Sequence, residues 1–247
     1  MLESPQMMRL SVVIPIYNEE RTAVALLERV TAAPLPAAID GLEVVAVDDG
    51  SDDGTWARID AWQPPPRADG RPVSCQLLRH ERNRGKGAAL RTGFAAVTGD
   101  VVVVQDADLE YDPAEYPTLL HPILEGHADA VYGSRFLGGP HRVLFFWHYL
   151  GNRFLTLVSN VFTDLNLTDM ETCYKVFRAE LLRRLELRCD RFGFEPEVTA
   201  RLAHAGCRIY EVPISYHGRT YAEGKKIGWR DGVAAIWTIL KYNIWAR

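Results

Sequence analysis

The sequence lacks the cysteine patterns that mark a disulfide framework or a zinc site. Its four cysteines are scattered and include no C-x-x-C pair: Cys75, Cys173, Cys189 and Cys207. Small disulfide-rich folds and zinc sites use several cysteines at close, regular spacings. We therefore expect reduced thiols in the core of a cytoplasmic protein.

The sequence also lacks a long uninterrupted hydrophobic run. The longest apolar region covers residues 143–162, and four polar residues interrupt it: His148, Asn152, Arg153 and Asn160. A membrane-spanning helix needs about 20 consecutive apolar residues. The opening MLESPQMMRL has no apolar signal core. We therefore predict neither a membrane span nor a secretion signal.

An excess of positive charge is absent as well. The 247 residues carry a formal net charge of −4, and 47% of them are hydrophobic. Nucleic-acid-binding proteins carry clustered Lys and Arg, and disordered chains carry few apolar residues. The composition therefore indicates a globular chain with no nucleic-acid partner. Because no repeat or low-complexity linker divides it, we expect one domain over residues 1–247.

Short β-branched segments alternate with longer helical patterns. The predicted strands of the first half are LSVVIPIYN, LEVVAVDDGS, SCQLLRH and VVVV, with helices in EERTAVALLERVTAA, SDDGTWARIDAW and KGAALRTGFAAV. The second of these helices is expected to begin at a capping Ser or Asp. Further strands are predicted in DAVYGSRF and CRIYEVPISYHGR, with a helix over residues 145–163. This alternation is typical of a mostly parallel, doubly wound α/β sheet.

Acidic residues directly follow the run of four valines. Asp106, Asp108 and Glu110 lie in QDADLEYDP, after residues 101–104. Two aspartates one residue apart repel each other unless a cation or a hydrogen-bond donor lies between them. Because hard cations such as Mg²⁺ bind carboxylate oxygens, the segment is a candidate metal site. A solvated acidic loop is the alternative.

Two further polar clusters, IYNEE and DDGSDDG, end the first and second predicted strands. In doubly wound sheets, ligands bind beyond the carboxyl ends of the strands, so we expect the three clusters to line one pocket. A nicotinamide-dependent dehydrogenase would share the fold class. No G-x-G-x-x-G follows the first strand, however, which disfavours that function.

These segments occur in the order found in a known family. VVIPIYNEE, VVAVDDGSDDGT, RNRGKGAAL, VVVVQDADLEYDP and YGSRF resemble the family 2 glycosyltransferases of the GT-A fold. TDMETCYKVFR and YEVPISYHGR are similar to the branch that contains dolichyl-phosphate mannose synthase and the bacterial polyprenyl-phosphate sugar transferases. The resemblance covers residues 10–228. It implies a Rossmann-like, mostly parallel sheet flanked by helices.

The resemblance implies a nucleotide-sugar-binding half at about residues 1–110 and an acceptor half at about residues 111–228. It places the base and ribose of the donor at five residues: Pro15, Tyr17, Glu19, Val47 and Asp49. It places the diphosphate and a Mg²⁺ or Mn²⁺ ion at four others: Asp106, Ala107, Asp108 and Glu110. The metal ligands among these are expected to be Asp106, Asp108 and Glu110.

The residues alone leave other interpretations open. Tyr17 suits a packed aromatic ring at a strand end, and Asp49 suits a helix N-cap. Asp52 and Asp53 are best explained as charges in the first turn of a helix. The donor assignments for Tyr17 and Asp49 therefore depend on the family resemblance.

Three basic residues are expected to form a phosphate clamp: Arg135, Arg219 and Lys225. A diphosphate leaving group and a phosphate acceptor bring several negative charges together, and Arg forks and Lys can offset them. The segment RTYAEGKKIG, bracketed by glycines, is expected to close over the ligand as a lid. Solvated surface charges are the alternative. Where the synthases tend to show GESK, this chain has AEGKK.

The implied reaction transfers a hexose from a UDP- or GDP-linked donor to a polyprenyl phosphate and inverts the anomeric centre. A phosphate monoester has a second pKa of roughly 6, so this acceptor needs no strong base. A hydroxyl acceptor would need one, and the candidates are Asp169, Glu195 and Glu197. Asp169 is included among the expected catalytic residues, with Asp106, Asp108 and Arg135. A protein that binds sugar nucleotides without turnover remains a further alternative.

The last predicted element is an amphipathic helix over residues 229–247. Six apolar residues share one face: Trp229, Val233, Ile236, Trp237, Leu240 and Ile244. The helix is too short and too charged to span a bilayer. Two alternatives follow. The face packs on the protein's own core, or it makes peripheral contact with the inner face of the cytoplasmic membrane near a lipid-linked acceptor.

Overall fold

The computed structural model describes residues 7–143, 145–220 and 229–246, with the backbone alone at residues 229 and 230. The strands in these ranges are β1 (Met8–Ile16), β2 (Ile39–Asp48), β3 (Val73–Arg79), β4 (Val101–Val104), β5 (Ala130–Ser134), β6 (Lys175–Arg178) and β7 (Ile209–Pro213). The α-helices are α1 (Ala23–Ala32), α2 (Thr55–Asp60), α3 (Lys86–Ala96), α4 (Tyr116–Leu124), α5 (Phe146–Thr163), α6 (Ala179–Arg184), α7 (Phe194–His204) and α8 (Trp229–Leu240). A π-helical turn, Lys241–Trp245, follows α8.

The strands lie in one sheet in the order β3-β2-β1-β4-β6-β5-β7. β1 is parallel to β2 and β4, and β2 is parallel to β3. β6 is antiparallel to its neighbours β4 and β5, while β7 is parallel to β5. α3 packs on β1 and β2, and α4 packs on β5 and β6. The predicted α/β class with a mostly parallel, helix-flanked sheet is confirmed.

The valine strand β4 is buried along its whole length. It lies between β1 and β6, so both of its backbone edges are paired. The first polar residue after it, Gln105, is also buried, and its Oε1 accepts hydrogen bonds from the hydroxyls of Tyr116 at 2.9 Å and Tyr174 at 2.7 Å. A continuous apolar run of this kind is typical of a strand covered on both faces. The acidic segment that follows therefore starts from a rigid position.

The structure corrects the start of α2. The helix begins at Thr55 rather than at Ser51 or Asp52, and its first turn contains no acidic residue. Asp53 precedes the helix, and its Oδ1 accepts a hydrogen bond from Thr55 N at 2.9 Å. The assignment of Asp52 and Asp53 as first-turn helix charges was therefore wrong, because the chain makes an additional turn before the helix starts.

The C-terminal helix packs on the core through a face that overlaps only in part with the apolar face predicted from the sequence: Ile236 packs on the core as a partly buried residue. Ala235 and Ile239 of α8 are buried, as is Tyr242 in the turn that follows. Val233 and Trp237, from the predicted apolar face, are 58% and 60% exposed. Trp229 was also predicted to belong to this apolar face, but its side chain lies outside the described part of the structure. No helix in the described ranges combines the length and the apolar content needed to cross a bilayer.

Candidate active site

The loops after β1, β2 and β4 meet at one edge of the sheet. Glu19 N, after β1, donates to Thr55 Oγ1 at 2.9 Å at the start of α2. The guanidinium group of Arg219 lies 3.5 Å from Glu19 Oε1 and 3.2 Å from Asp108 Oδ2, which follows β4. The polar segments at these strand ends therefore line one site, as the positions of the predicted strands suggested.

Four carboxylates at this edge, Glu19, Asp106, Asp108 and Glu110, are together called the acidic centre below. Leu109 has a left-handed backbone, with φ of 63°, and Glu110 N donates to Asp108 Oδ1 at 3.1 Å. Burial raises the pKa of Asp108 to about 7, and the negative charges of Asp106 and Glu110 add to this effect. The carboxylates are thus close enough to oppose one another's ionisation, and a cation would relieve this repulsion.

Arg219 supplies positive charge to the acidic centre. Its guanidinium group lies 3.2 Å from Asp108 Oδ2 and 3.3 Å from Glu110 Oε1, and its backbone N–H donates to Glu110 Oε1 at 2.8 Å. The hydroxyl of Tyr216 donates to the other oxygen of Glu110 at 2.7 Å. Arg219 is therefore held against the acidic centre by both its side chain and its backbone.

Lys86, the first residue of α3, bridges the acidic centre to α7. Its Nζ lies 2.9 Å from Asp106 Oδ1 and 2.9 Å from Glu195 Oε1. Gly85 precedes it with φ of 103°, and a side chain there would meet the backbone of Asp190. The glycine therefore allows the close approach that aims Lys86 into the site.

Arg135 and Asp169 form a buried bidentate ion pair. Arg135 Nε and Nη2 each lie 2.7 Å from an oxygen of Asp169, and the backbone N–H of Arg135 donates to the same carboxylate at 3.1 Å. The guanidinium carbon lies 5.2 Å from the ring centre of Tyr216. Asp169 is fully buried. This carboxylate therefore positions Arg135 beside the acidic centre.

The other two candidate bases are also held by donors. Glu195 pairs with Lys86, as above. Both oxygens of Glu197 accept backbone hydrogen bonds, from Arg188 N at 2.8 Å and from Cys189 N at 2.7 Å, and Glu197 is fully buried. Glu197 therefore holds the loop before α7 in place.

A buried charge cluster lies behind the acidic centre and comprises Asp169, Glu171, Lys175 and Glu195. Lys175 is fully buried; its Nζ donates to the carbonyl of Met170 at 2.9 Å and also to that of Thr172. Burial lowers the pKa of Lys175 to about 8. Burial, together with the charge of Glu195, raises the pKa of Glu171 to about 8.

The acidic centre has donors suited to a divalent ion, although it is not a ready-made cage. In the described part of the chain, no three His, Cys, Asp or Glu side chains form a metal-binding group. Mg²⁺ usually takes one or two protein carboxylates and completes its shell with phosphates and waters. Asp106 and Asp108 provide hard oxygen ligands, and burial, with the charges of Asp106 and Glu110, keeps the pKa of Asp108 raised although Arg219 lies 3.2 Å from it. These residues fit a divalent ion that arrives with a diphosphate.

A comparison with protein-family models matches residues 11–186 to the model described as "Glycosyl transferase family 2". The match runs from β1 past the end of α6 and includes the acidic segment after β4. The chain belongs to the family 2 glycosyltransferases. The resemblance stated from the motifs is confirmed.

Two relatives show how far the similarity extends. The chain is 32% identical over 253 aligned positions to an undecaprenyl-phosphate mannosyltransferase of Micrococcus luteus, covering 97% of this chain and 96% of that one. It is 29% identical to a dolichol-phosphate mannosyltransferase of Pyrococcus furiosus, covering 90% of this chain and 60% of that one. The chain thus spans nearly the whole of the first relative and less than two thirds of the second.

Solved structures share the fold of this glycosyltransferase. Glucosyl-3-phosphoglycerate synthase from Mycobacterium tuberculosis, in complex with Mn²⁺, UDP and glucosyl-3-phosphoglycerate, has a TM-score of 0.66 and 24% identity. The superposition covers 96% of this chain and 80% of the synthase. At this level of identity, the likeness supports the GT-A-like arrangement of sheet and helices alone.

The residues predicted to bind the base and ribose lie along the β1–β2 edge of the glycosyltransferase. Pro15 and Val47 are register partners, and the side chain of Val47 is buried in the core. Asp49 accepts from Arg84 N at 3.0 Å and from Gly85 N at 2.6 Å, so its alternative as a helix N-cap at α2 was wrong. Asp49 instead fixes the loop that leads into α3. Its contact with a nucleotide stays a prediction.

The structure thus gathers most of the predicted site and adds residues that the sequence analysis missed. Tyr17 and Ala107 lie beside the acidic centre in the chain, whereas Lys225 lies outside the described residues. Lys86, Glu171 and Lys175 were not singled out. The motif RNRGKG contained a usable signal for Lys86, because a basic residue directly after a glycine opens the helix that faces the site. Glu171 and Lys175 lie in TDMETCYKVFR, which carried the family resemblance, but no pattern in the sequence indicated their burial.

Proposed function

We propose that this glycosyltransferase transfers a hexose from a UDP- or GDP-linked donor to a polyprenyl phosphate, with inversion at the anomeric carbon and with Mg²⁺ or Mn²⁺. The observation that carries the proposal is that the acidic centre is connected to a helix, α5, with a long exposed apolar face. A charged donor and a lipid-linked acceptor need these two environments side by side. The relatives named as undecaprenyl- and dolichol-phosphate mannosyltransferases support this acceptor class.

Donor binding would use the acidic centre and its cations. Asp106 and Asp108 would hold the divalent ion, and Glu110 lies next to them. When bound, the ion offsets the charge of the departing nucleoside diphosphate. Arg219 brings a guanidinium group to the same place, and Arg135 lies beside it. These groups would stabilise the phosphates as the bond to the sugar breaks.

The state of the candidate bases favours a phosphate acceptor over a hydroxyl. Asp169 is engaged by Arg135, Glu195 by Lys86, and Glu197 by two backbone N–H groups. A hydroxyl acceptor needs a base that is able to take its proton. A phosphate monoester is already ionised near neutral pH and attacks without one. In this mechanism, Asp169 holds the phosphate-binding Arg135 in place.

The acceptor lipid would approach along the exposed apolar surface of α5 and α8. Large apolar side chains stand in solvent on both helices, which pack against each other: Phe146, Trp147, Leu150, Phe154, Leu157 and Val161 on α5, and Val233 and Trp237 on α8. Contiguous exposed apolar surfaces commonly mark interaction sites. Tryptophan favours the headgroup region of a bilayer, and burying each side chain is worth about 1.5–3 kcal/mol at most. We infer peripheral contact with the inner face of the cytoplasmic membrane.

α5 also contacts the loop that carries Asp169. Met170 N donates to Thr156 Oγ1 at 3.1 Å, and the side-chain amide of Asn160 donates to Leu167 O at 2.8 Å. The helix that would face the lipid is therefore attached directly to the loop that fixes Arg135. This connection would bring the acceptor phosphate near Arg135 while the lipid chain stays outside the sheet.

The donor assignment is tested by calorimetry with UDP, GDP and dTDP in the presence of Mg²⁺. We expect UDP or GDP to bind, and to bind more weakly after chelation, because two carboxylates and a diphosphate share the ion. Failure of all three nucleotides to bind would overturn the proposal. The acceptor class is tested with a short polyprenyl phosphate and the corresponding alcohol. Transfer to the alcohol and not to the phosphate would favour the hydroxyl-acceptor alternative.

A further inference from the structure

One carboxylate oxygen of the partly buried Glu171, in the buried charge cluster, has no hydrogen-bond partner in the described part of the chain. Glu171 Oε1 is shielded from solvent, and no group in the described part of the chain donates to it. The hydroxyl of the next residue, Thr172, is likewise buried without a partner there. Buried polar side-chain atoms in native proteins nearly always have one. Two adjacent oxygens of this kind therefore indicate a place that a ligand completes.

Glu171 is connected to the acidic centre through Glu195 and Lys86. Lys86 Nζ lies between Asp106 Oδ1 and Glu195 Oε1, at 2.9 Å from each. Glu195 is in turn the charged neighbour that acts most strongly on Glu171. Glu171 is thus a charged neighbour of Glu195, and Lys86 pairs Glu195 with Asp106, the carboxylate that would hold the metal and the diphosphate. The group attached to that diphosphate is the sugar.

The charges around Glu171 select the chemistry of the ligand. The nearby cations are engaged, Arg135 by Asp169 and Lys175 by carbonyl oxygens. A phosphate here would add negative charge beside Glu195, whose charge already raises the pKa of Glu171. A hydroxyl group adds no charge, and its O–H donates to the carboxyl oxygen that lacks a donor. The surroundings therefore favour a neutral ligand with several hydroxyl groups.

We propose that Glu171, with Thr172 beside it, binds a hydroxyl group of the hexose of the donor and so contributes to sugar recognition. The proposal rests on the proposed function, because it takes the donor to be a nucleotide sugar. It assigns Glu171 no part in nucleotide binding. The contribution of the sugar to donor affinity can therefore be measured separately from the contribution of the nucleotide.

The test compares nucleotides with their sugar derivatives by calorimetry in Mg²⁺, using GDP with GDP-mannose and UDP with UDP-glucose. Wild-type protein should bind one sugar nucleotide more tightly than its own nucleoside diphosphate. Glu171→Ala should weaken the binding of that sugar nucleotide by up to about 10-fold, the upper end of the loss expected for one neutral hydrogen bond. The affinity for the nucleoside diphosphate alone should stay within about twofold. A merely structural role would weaken both ligands together.

Three further variants sharpen the comparison. Glu171→Gln keeps an oxygen acceptor and should recover part of the lost affinity. Thr172→Val removes the neighbouring hydroxyl at similar volume and should give a smaller loss in the same direction, and it carries the test should Glu171→Ala not fold. Glu180→Gln, at an exposed position on α6, is the matched control and should behave as wild type.

Two outcomes would overturn the inference, and they can be told apart. Normal nucleotide binding with the sugar-dependent difference unchanged in Glu171→Ala would mean that only water meets Glu171, and the proposed function would stand. Absence of nucleotide binding by wild-type protein would remove the proposed function and, with it, the sugar site.

Discussion

At the carboxyl edge of the sheet, four carboxylates are crowded together, whereas the outer faces of α5 and α8 leave Trp147 and Trp237 in solvent. Both arrangements are unfavourable in isolation. Crowding acids raises the free energy of their ionised forms, and exposing tryptophan forgoes the gain from burying it. Sites that break local rules in this way are commonly functional. The contrast indicates a charged ligand at the edge and an apolar one at the helices.

The two regions are joined by the loop that carries Asp169, and breaking its ion pair should have the largest effect. Asp169→Asn leaves Arg135 buried without a countercharge, so we expect the free energy of unfolding in urea to fall by about 3–5 kcal/mol. The exposed pair of Arg208 and Asp129, also 2.7 Å apart, is the matched control. Asp129→Asn should cost about 1 kcal/mol or less. Equal losses in the two variants would show that Arg135 is not a buried charge.

Removing charge from the acidic centre should stop transfer while leaving the apolar surface intact. Asp108→Asn takes away a metal ligand, and a bound ion supplies several kcal/mol of transition-state stabilisation, so the rate should fall about 100-fold or more. Mn²⁺ binding, followed by electron paramagnetic resonance, should weaken in parallel. Glu125→Gln, at an exposed position after α4, is the control. Undiminished transfer by Asp108→Asn in the presence of chelator would contradict the metal assignment.

A charge placed on the exposed apolar surface of α5 should weaken membrane binding and leave the acidic centre intact. Phe154→Glu places a charge on a residue that is 52% exposed on α5, so binding to anionic liposomes should weaken about 10-fold through lost apolar burial and added repulsion. Nucleotide affinity should not change. Met7→Glu makes the same substitution at an exposed apolar residue before β1 and should leave liposome binding as in wild type. Equal effects of the two variants would separate α5 from the membrane.

The smallest effect concerns the pH dependence of stability. The pKa of Asp108 is raised in the folded state to about 7, so its contribution to stability is fully present below its ordinary pKa of 3.8 and is lost as pH rises through 7. Asp108→Asn should therefore raise Tm at pH 8 by about 2–4 °C, equivalent to about 1 kcal/mol, and change it little at pH 5. A higher Tm at pH 5 with no gain at pH 8 would reverse the assigned sign.

The sequence was most informative where one physical rule acted along the chain. Four consecutive valines predicted a strand buried on both faces, and the acids after it predicted the position of the site. Contacts between side chains that are far apart in the chain leave no comparable pattern in the sequence. Glu171 and Lys175 acquire their shifted pKa values from burial near Glu195, which is distant from both of them in the chain. The start of α2 was missed because Asp52 is placed by a contact with Asn18, a residue in another loop.

The orientation of α8 is a second feature that the sequence alone did not determine. Its periodicity predicted an amphipathic helix, which the structure has, yet Ala235 and Ile239 form the packed face while Val233 and Trp237 point outward. Helical spacing identifies which residues share a face, but it left open whether that face packs on the core or contacts lipid. The small and medium side chains are the ones that pack closely on the core. The exposed large ones form the surface that we assign to lipid.

The most direct measurement of the central claim is product formation from a UDP- or GDP-linked hexose with undecaprenyl phosphate in anionic liposomes, with and without chelator. We predict a sugar-phosphate-linked lipid product of inverted anomeric configuration, formed with Mg²⁺ or Mn²⁺ and abolished by chelator. Transfer that persists in chelator, or sugar that appears only on a water-soluble hydroxyl acceptor, would contradict the account.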